Sequence, residues 1–91
     1  MRKLSLHITQ SSFNYLLPEM DDIERQACNH AWFQMVTFER MGKKRILRNS
    51  SKAFGVSQST IDKSIRTALG NDIWKVRNRQ TEKKLINSLY N

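Results

Sequence analysis

The residues whose types and spacing best suit chemistry lie in the stretch KAFGVSQSTIDKSIRTALG, residues 52–70. Polar and charged side chains recur there at helical spacing, on the face opposite to the apolar Ile61 and Ile65. Glutamine can form paired hydrogen bonds with adenine. Arginine or lysine can donate to guanine, and aspartate can accept a hydrogen bond from cytosine. The pattern predicts a set of base-reading residues, which are Gln58, Ser59, Asp62, Lys63 and Arg66.

Two groups of residues outside that set favour contacts with phosphate. Basic side chains precede the stretch, where a first helix would cross a nucleic-acid backbone, and two hydroxyl residues open the next helix. The predicted phosphate-binding residues are Lys43, Lys44, Arg45, Arg48, Lys52, Ser57 and Thr60. Asp62 has an alternative role, in which it orients Lys63 or Arg66 as an intramolecular partner.

The turn at residues 55–57 would position both groups. Gly55 can adopt the positive φ that lets two helices meet at a steep angle in a helix-turn-helix. Val56 can fill the angle between the helices, and Ser57 can cap the second of them. Residues 46–69 therefore predict a helix-turn-helix. The alternative is an ordinary helical hairpin, because such short patterns also occur by chance.

The chain as a whole predicts an all-α fold, a small bundle of about five helices, since it has three glycines, one proline and no hairpin signal. Thr9 or Ser11 would cap a first helix that Pro18 ends, and Asp21 and Asp22 would begin a long second helix. Spacings of three and four predict the buried face of that helix, formed by Ile23, Ala27, Ala31, Met35 and Phe38 with Trp32, Phe33 and Val36 beside them.

Glycines predict where the next helices end. Gly42 is the expected residue just past the second helix, and a third helix would follow it and stop at Gly55. A fourth helix would run from Ser57 to Gly70. Its predicted buried face comprises Ile61, Ile65, Ala68 and Leu69. Residues 73–76 fit either a short strand or the first turn of a last helix.

The C-terminal residues 70–91 have two interpretations. One is a basic arm that contacts DNA, followed by a dimerising helix that begins near Thr81. The arm residues are Lys75, Arg77 and Arg79, and the dimerisation residues are Leu85, Ile86 and Leu89. The other interpretation is a capping helix that completes a small monomeric bundle.

Length and charge bound the function. Ninety-one residues predict one domain, residues 1–91, with its core in residues 8–69. Residues 1–41 hold four basic and five acidic residues, a net charge of −1, whereas residues 42–91 hold twelve and three, a net charge of +9. Such a one-sided basic surface favours a polyanion, most often nucleic acid. The alternative is a solvated basic face.

Composition argues against several other classes of protein. The lone Cys28 indicates a reducing compartment, and no apolar run has the length of a membrane span or signal peptide. We therefore expect a cytoplasmic, nucleoid-associated protein. His7, His30 and Cys28 are too scattered for a zinc site. Eight acids and no nucleophile arrangement predict that the chain is not an enzyme, and we expect no cofactor, metal or small-molecule ligand.

The segments ITQSSFNYLL and GKKRILRNSSKAFGVSQSTIDKSIRTAL, with a long helix between them, resemble the layout of TrfB/KorA-type plasmid repressors. The chain is also similar to PapB-type regulators of fimbrial operons. In that group a residue of moderate size often stands three places after the first anchor of the recognition helix, and an aliphatic follows; Ser64 and Ile65 occupy those positions here. Ser51 departs from the alanine that many helix-turn-helix sequences carry at its position.

The resemblance covers residues 8–69. It implies a small bacterial, plasmid or phage transcriptional regulator that binds an operator as a dimer. The base-reading positions that it implies are Gln58, Ser59, Asp62 and Lys63.

These observations predict a transcriptional repressor that binds double-stranded DNA at a palindromic operator as a homodimer. A second hypothesis comes from another class of protein. In it, the chain is a co-regulator, or a phage or plasmid inhibitor, whose basic face binds an acidic protein partner.

Overall fold

The computed structural model describes residues 8–79, which contain five helices and no strand. The helices are α1 (Gln10–Leu16), α2 (Asp22–Thr37), α3 (Lys43–Phe54), α4 (Gln58–Leu69) and α5, residues 73–79. The predicted all-α fold is confirmed. The ambiguous residues 73–76 belong to α5 and are helical.

The helices begin where side chains can replace missing backbone partners. The Thr9 hydroxyl accepts a hydrogen bond from the Ser12 N–H at 3.1 Å, so Thr9, not Ser11, is the cap of α1. Asp21 precedes α2, and the Glu24 carboxylate accepts from the Asp21 N–H at 3.4 Å. Both starts lie where the sequence predicts them.

The end of α2 differs from its prediction. The helix stops at Thr37, and Gly42 precedes α3 as its N-cap with φ −80°, so Gly42 is not the left-handed residue expected after α2. Phe38 leaves the helix at φ −113° and ψ 82°, and its carbonyl accepts from the Met41 N–H at 2.9 Å. A tight turn over residues 38–41 therefore replaces the last predicted turn of helix.

The core lies between all five helices. Its most deeply buried large side chains are Phe13, Ile46, Ile61, Ile65 and Ile73, with Phe13 stacked on Trp32 at 5.6 Å between ring centroids. On α2 the buried face is formed by Ala27, Cys28, Ala31, Trp32 and Met35. These residues come from every helix, so removal of any one helix would expose the packing face of the others.

Three apolar residues predicted to lie in the core are half exposed instead. Phe33 is 51 % exposed and Phe38 is 47 % exposed, and their rings meet edge to face at 6.3 Å. Ile23 is also exposed. Phe33 lies on the side of α2 opposite to its small buried residues, Ile23 lies in the first turn of the helix, and Phe38 lies just past its end.

Residues 70–79 are part of the folded unit and do not form a separate arm. Ile73 and Trp74 belong to the core cluster, and Arg77 is buried beside them. The predicted helix from Thr81 lies outside the described residues.

No helix within residues 8–79 has both the length and the apolar character needed to cross a membrane.

Candidate nucleic-acid interface

A three-residue turn fixes α3 against α4. Gly55 adopts the left-handed conformation at φ 70° and ψ 26°, and its N–H donates to the Ser51 carbonyl at 2.8 Å. A Cβ at Gly55 would meet no atom within 4 Å, so the backbone conformation alone favours glycine here. Val56 is buried, and the Ser57 hydroxyl accepts from the Thr60 N–H at 3.2 Å. The positive φ of Gly55, the burial of Val56 and the cap from Ser57 are confirmed, while the helix-turn-helix itself stays a prediction.

Helix α4 turns one face to the core and another to solvent. Ile61, Ile65 and Leu69 are buried, as predicted, and Ala68 is partly buried beside them. The exposed face comprises Gln58, Ser59, Lys63 and Thr67. Thr67 is absent from the predicted set, although its spacing of four from Lys63 and eight from Ser59 places it on the same face.

The basic residues of α3 form a continuous exposed face. Lys44, Arg48 and Lys52 are spaced by four residues, and Arg45 lies beside them, opposite to the buried Ile46 and Leu47. We call these four cations the basic stripe. None of them forms an ion pair with another residue in the range 8–79. The stripe is therefore available to an external anion.

The other predicted phosphate contacts have intramolecular partners. The Ser57 hydroxyl donates to the Thr60 Oγ1 at 2.8 Å while it caps α4, so its single proton is used within the turn. The Lys43 Nζ lies 3.7 Å from the Asp62 Oδ2 and 5.8 Å from the centroid of the Trp74 ring. Lys43 thus belongs to a different cluster from the basic stripe.

Asp62 is turned toward its neighbours and away from solvent. Its Oδ1 accepts from the Trp74 Nε1–H at 2.7 Å, and its Oδ2 lies 3.4 Å from the Arg66 Nε. The side chain is 16 % exposed. Of the two roles that the sequence allows for Asp62, the intramolecular one fits this geometry, with Arg66 and Lys43 as partners in place of Lys63. Direct reading of cytosine by Asp62 does not fit.

Arg77 does not lie on a DNA-contacting arm. It is 3 % exposed, and it donates from Nε to the Met35 carbonyl at 3.1 Å and from Nη2 to the Phe38 carbonyl at 2.8 Å. Its guanidinium thus satisfies backbone carbonyls at the C-terminal end of α2, where a cation is favoured. Burial lowers the pKa of Arg77, although nearby Glu39 opposes that shift.

The remaining predicted arm and dimerisation residues divide into two groups. Lys75 and Arg79 are exposed on α5 and stay candidates for phosphate contact. Leu85, Ile86 and Leu89 lie outside the described residues, so the predicted dimerisation surface is not described.

A buried polar network joins α2 to α3. The Gln34 amide donates to the Ser50 Oγ at 3.0 Å and accepts from the Asn49 Nδ2 at 2.8 Å. The His30 Nδ1 lies 2.8 Å from the same Ser50 Oγ. Ser50 and Gln34 are both buried, so the Ser50 hydroxyl is closed to any substrate and serves to hold α3 on α2. Sequence spacing carries no signal for this network, because its residues are 15 to 20 positions apart.

Cys28 is a packed core residue. It is fully buried, and burial raises the pKa of its thiol to about 11, an effect that a hydrogen bond with Ser64 partly offsets. A thiol that stays protonated at neutral pH is a poor nucleophile and metal ligand. Ser64 is itself buried on α4, so the small side chains of Cys28 and Ser64 meet where α2 packs against α4.

Comparison of the chain with family models, with curated proteins and with solved structures gives no match. The resemblance to TrfB/KorA-type plasmid repressors and to PapB-type regulators of fimbrial operons therefore stays a prediction from the sequence.

Proposed function

We propose that this chain is a sequence-specific DNA-binding protein that regulates transcription. The observation that carries the proposal is the presence of two exposed surfaces on consecutive helices, one on each side of the turn at residues 55–57. The basic stripe on α3 has no internal acidic partner among the described residues, and α4 exposes Gln58, Ser59 and Lys63 directly after the turn. DNA recognition needs two components. Cations that have no acidic partner contact phosphates, and polar side chains on a helix contact base edges.

The two surfaces would divide the work of binding. The basic stripe would contact phosphates and displace condensed counterions, which gives affinity without regard to sequence. Helix α4 would then enter the major groove, whose width of about 12 Å admits an α-helix. In that position Gln58 suits adenine and Lys63 suits guanine, while Ser59 suits either a base or a phosphate.

Regulation by occupancy of a promoter follows from this binding mode. A homodimer would place two copies of α4 about 34 Å apart, one turn of the duplex, on an imperfectly palindromic operator. Repression then requires only that the bound dimer exclude the transcription machinery. The dimer and the repressor role belong to the proposal together with the binding itself.

Selection of bound duplexes from a random pool at about 150 mM salt tests the proposal, because salt at this level suppresses weak electrostatic binding. The stoichiometry is read by gel shift on a recovered duplex. Recovery of a palindrome bound by two chains supports the operator-binding dimer. Salt-sensitive binding with no enriched sequence contradicts sequence specificity. Absence of any DNA binding contradicts the proposal and favours an acidic protein partner for the basic stripe.

Removal of charge from the basic stripe tests its role in binding phosphate. The triple variant Lys44→Ala, Arg48→Ala, Lys52→Ala should weaken binding to all duplexes alike. The slope of log K against log salt should become shallower by about 0.9 for each phosphate that the variant no longer neutralises. Fluorescence anisotropy over a salt series measures both effects. The charge-conserving variant Lys44→Arg, Arg48→Lys, Lys52→Arg is the control, and an equal drop in affinity in that variant would contradict an electrostatic role.

Gln58→Ala tests base reading by α4. The variant should lose about 1–3 kcal/mol of discrimination at one base pair of the selected site and little affinity for random DNA. Binding to a panel of single-base operator variants measures this. Gln10→Ala is a matched control, because Gln10 is likewise the exposed first residue of a helix that follows a capping hydroxyl. An equal drop in affinity for selected and random duplexes would remove Gln58 from the base-reading set.

A further inference from the structure

Three helices meet at a single carboxylate beside the exposed face of α4. Asp62 lies on α4, Lys43 begins α3, and Trp74 lies in the first turn of α5. The two oxygens of Asp62 have different partners. Oδ1 accepts from the Trp74 indole at 2.7 Å, while Oδ2 lies 3.4 Å from the Arg66 Nε and 3.7 Å from the Lys43 Nζ. The indole therefore holds Oδ1, and both cations lie near Oδ2.

The cluster leaves its cations usable. The Arg66 Nε is buried and makes no hydrogen bond, yet 40 % of the Arg66 side chain is exposed. A guanidinium carries five N–H donors, so a carboxylate near Nε leaves the Nη donors for another partner. Lys43 is exposed to a similar degree, 46 %. Each cation is held from one side and accessible from the other.

A negative charge at this place has an electrostatic cost on a nucleic-acid surface. Residues 42–79 contain ten lysines and arginines but only two acids, Asp62 and Asp72. Asp72 is exposed in the turn before α5, whereas Asp62 lies within the group of cations. A carboxylate there reduces attraction to phosphate on every sequence. It can benefit binding only where a fixed orientation of Arg66 or Lys43 matches a particular base.

We infer that Asp62 is a positioning residue for sequence discrimination, which holds Arg66 and Lys43 for base contact and is itself oriented by Trp74. The inference rests on the proposed function. It assigns to Asp62 an indirect role, since the carboxylate acts through its two cations and contacts no base. Helix α5 thereby contributes to recognition through the buried indole of Trp74.

Asp62→Asn separates charge from hydrogen bonding. The asparagine Oδ1 can still accept from the Trp74 indole, so the fold keeps that hydrogen bond, but the pairing with Arg66 and Lys43 is removed. Discrimination between the selected site and random duplex should fall by about tenfold, the order that one arginine–guanine contact supplies. The salt slope on random duplex should steepen by about 1, because a released cation can contact phosphate instead.

Asp72→Asn is the matched control, because it makes the same change in net charge at an exposed carboxylate. It should leave discrimination unchanged. Equal discrimination by Asp62→Asn and Asp72→Asn would overturn the inference while leaving the proposed function intact. If the unaltered protein itself enriches no sequence, the proposed function fails instead, so the two failures are distinguishable.

A double-mutant cycle with Arg66→Ala distinguishes positioning from a general effect on the fold. If Asp62 acts through Arg66, the change Asp62→Asn should have a much smaller effect on discrimination in the Arg66→Ala background. Full additivity would contradict the coupling.

Trp74→Phe, which keeps an aromatic ring and removes the N–H donor, tests the role of the indole. It should lower discrimination in the same direction as Asp62→Asn, and unchanged discrimination would contradict that role. Circular dichroism and thermal unfolding verify that each variant is folded.

Discussion

Replacing Ile61 with alanine should lower the free energy of unfolding by about 2–5 kcal/mol, the range for truncation of a fully buried large aliphatic side chain. Ile61 is completely buried and is the first residue that holds α4 on the core. The decrease combines the removed apolar surface with the cavity left between α4 and its neighbours. Urea unfolding followed by circular dichroism measures the change, because the midpoint shifts while the slope stays constant in a two-state transition.

Lys63→Ala is the control for this prediction. Lys63 is exposed on the same helix, and its replacement should change the free energy of unfolding by less than about 0.5 kcal/mol. A decrease below about 1 kcal/mol for Ile61→Ala would contradict the packing of α4 on the core. The pair also has value for binding studies, since Lys63→Ala alters the exposed face and leaves the core unchanged.

Replacing Arg77 with methionine should destabilise the fold by about 2–5 kcal/mol. Methionine keeps an unbranched apolar chain of similar length, but it removes the donors to the Met35 and Phe38 carbonyls. Hydrogen bonds from a charged donor contribute about 1.5–3 kcal/mol each. The Phe38 carbonyl keeps the Met41 N–H as a partner, which limits the decrease in stability at that carbonyl. The same urea titration measures the destabilisation.

Arg79→Met is the control, because Arg79 lies on the same helix and is exposed. It should be nearly neutral. Arg77→Lys should fall between the two, since one ammonium group cannot reproduce the fork of donors that reaches both carbonyls. Equal stability of Arg77→Met and Arg79→Met would mean that the C-terminal end of α2 is satisfied without Arg77.

The segment from α3 to α4 could be predicted from the sequence because its signals are local. Gly55 tolerates the left-handed conformation, and Ser57 offers an oxygen to the next turn of helix. Each signal acts within about four residues. The structure confirms the end of α3, the start of α4 and the burial of Val56 for this reason.

The end of α2 could not be predicted in the same way. A glycine after a helical run is a common stop signal, yet the helix ends five residues before Gly42. The Phe38 carbonyl accepts from Met41 and from Arg77, which is 39 positions away in the chain. A hydrogen-bond partner 39 positions away cannot be recognised from the local sequence pattern around Phe38. The exposure of Phe33 also could not be predicted locally. Helix periodicity indicates the centre of the buried face of α2, but the width of that face depends on the helices packed against it.

The candidate site shows the same division between local and distant causes. Exposure of Gln58, Ser59 and Lys63 follows from their positions relative to Ile61 and Ile65 on one helix. The enclosure of Asp62 depends on Trp74, which belongs to a segment whose local pattern is ambiguous. The sequence predicts an exposed arm for Arg77 because arginines are rarely buried without a partner, and its carbonyl partners become visible only in the fold.

The buried network of Gln34, Ser50 and His30 has a consequence for how many structures this chain can adopt. Two helices that meet only through aliphatic side chains can shift along each other by one turn, about 5.4 Å, at modest cost. Such a slip between α2 and α3 would separate the buried Ser50 hydroxyl from Gln34 and His30 and would break the Asn49–Gln34 hydrogen bond, so that Gln34 would keep only its contacts with His30 on the same helix. These hydrogen bonds therefore favour one alignment of α3 along α2, and with it one axial position for the cations of α3.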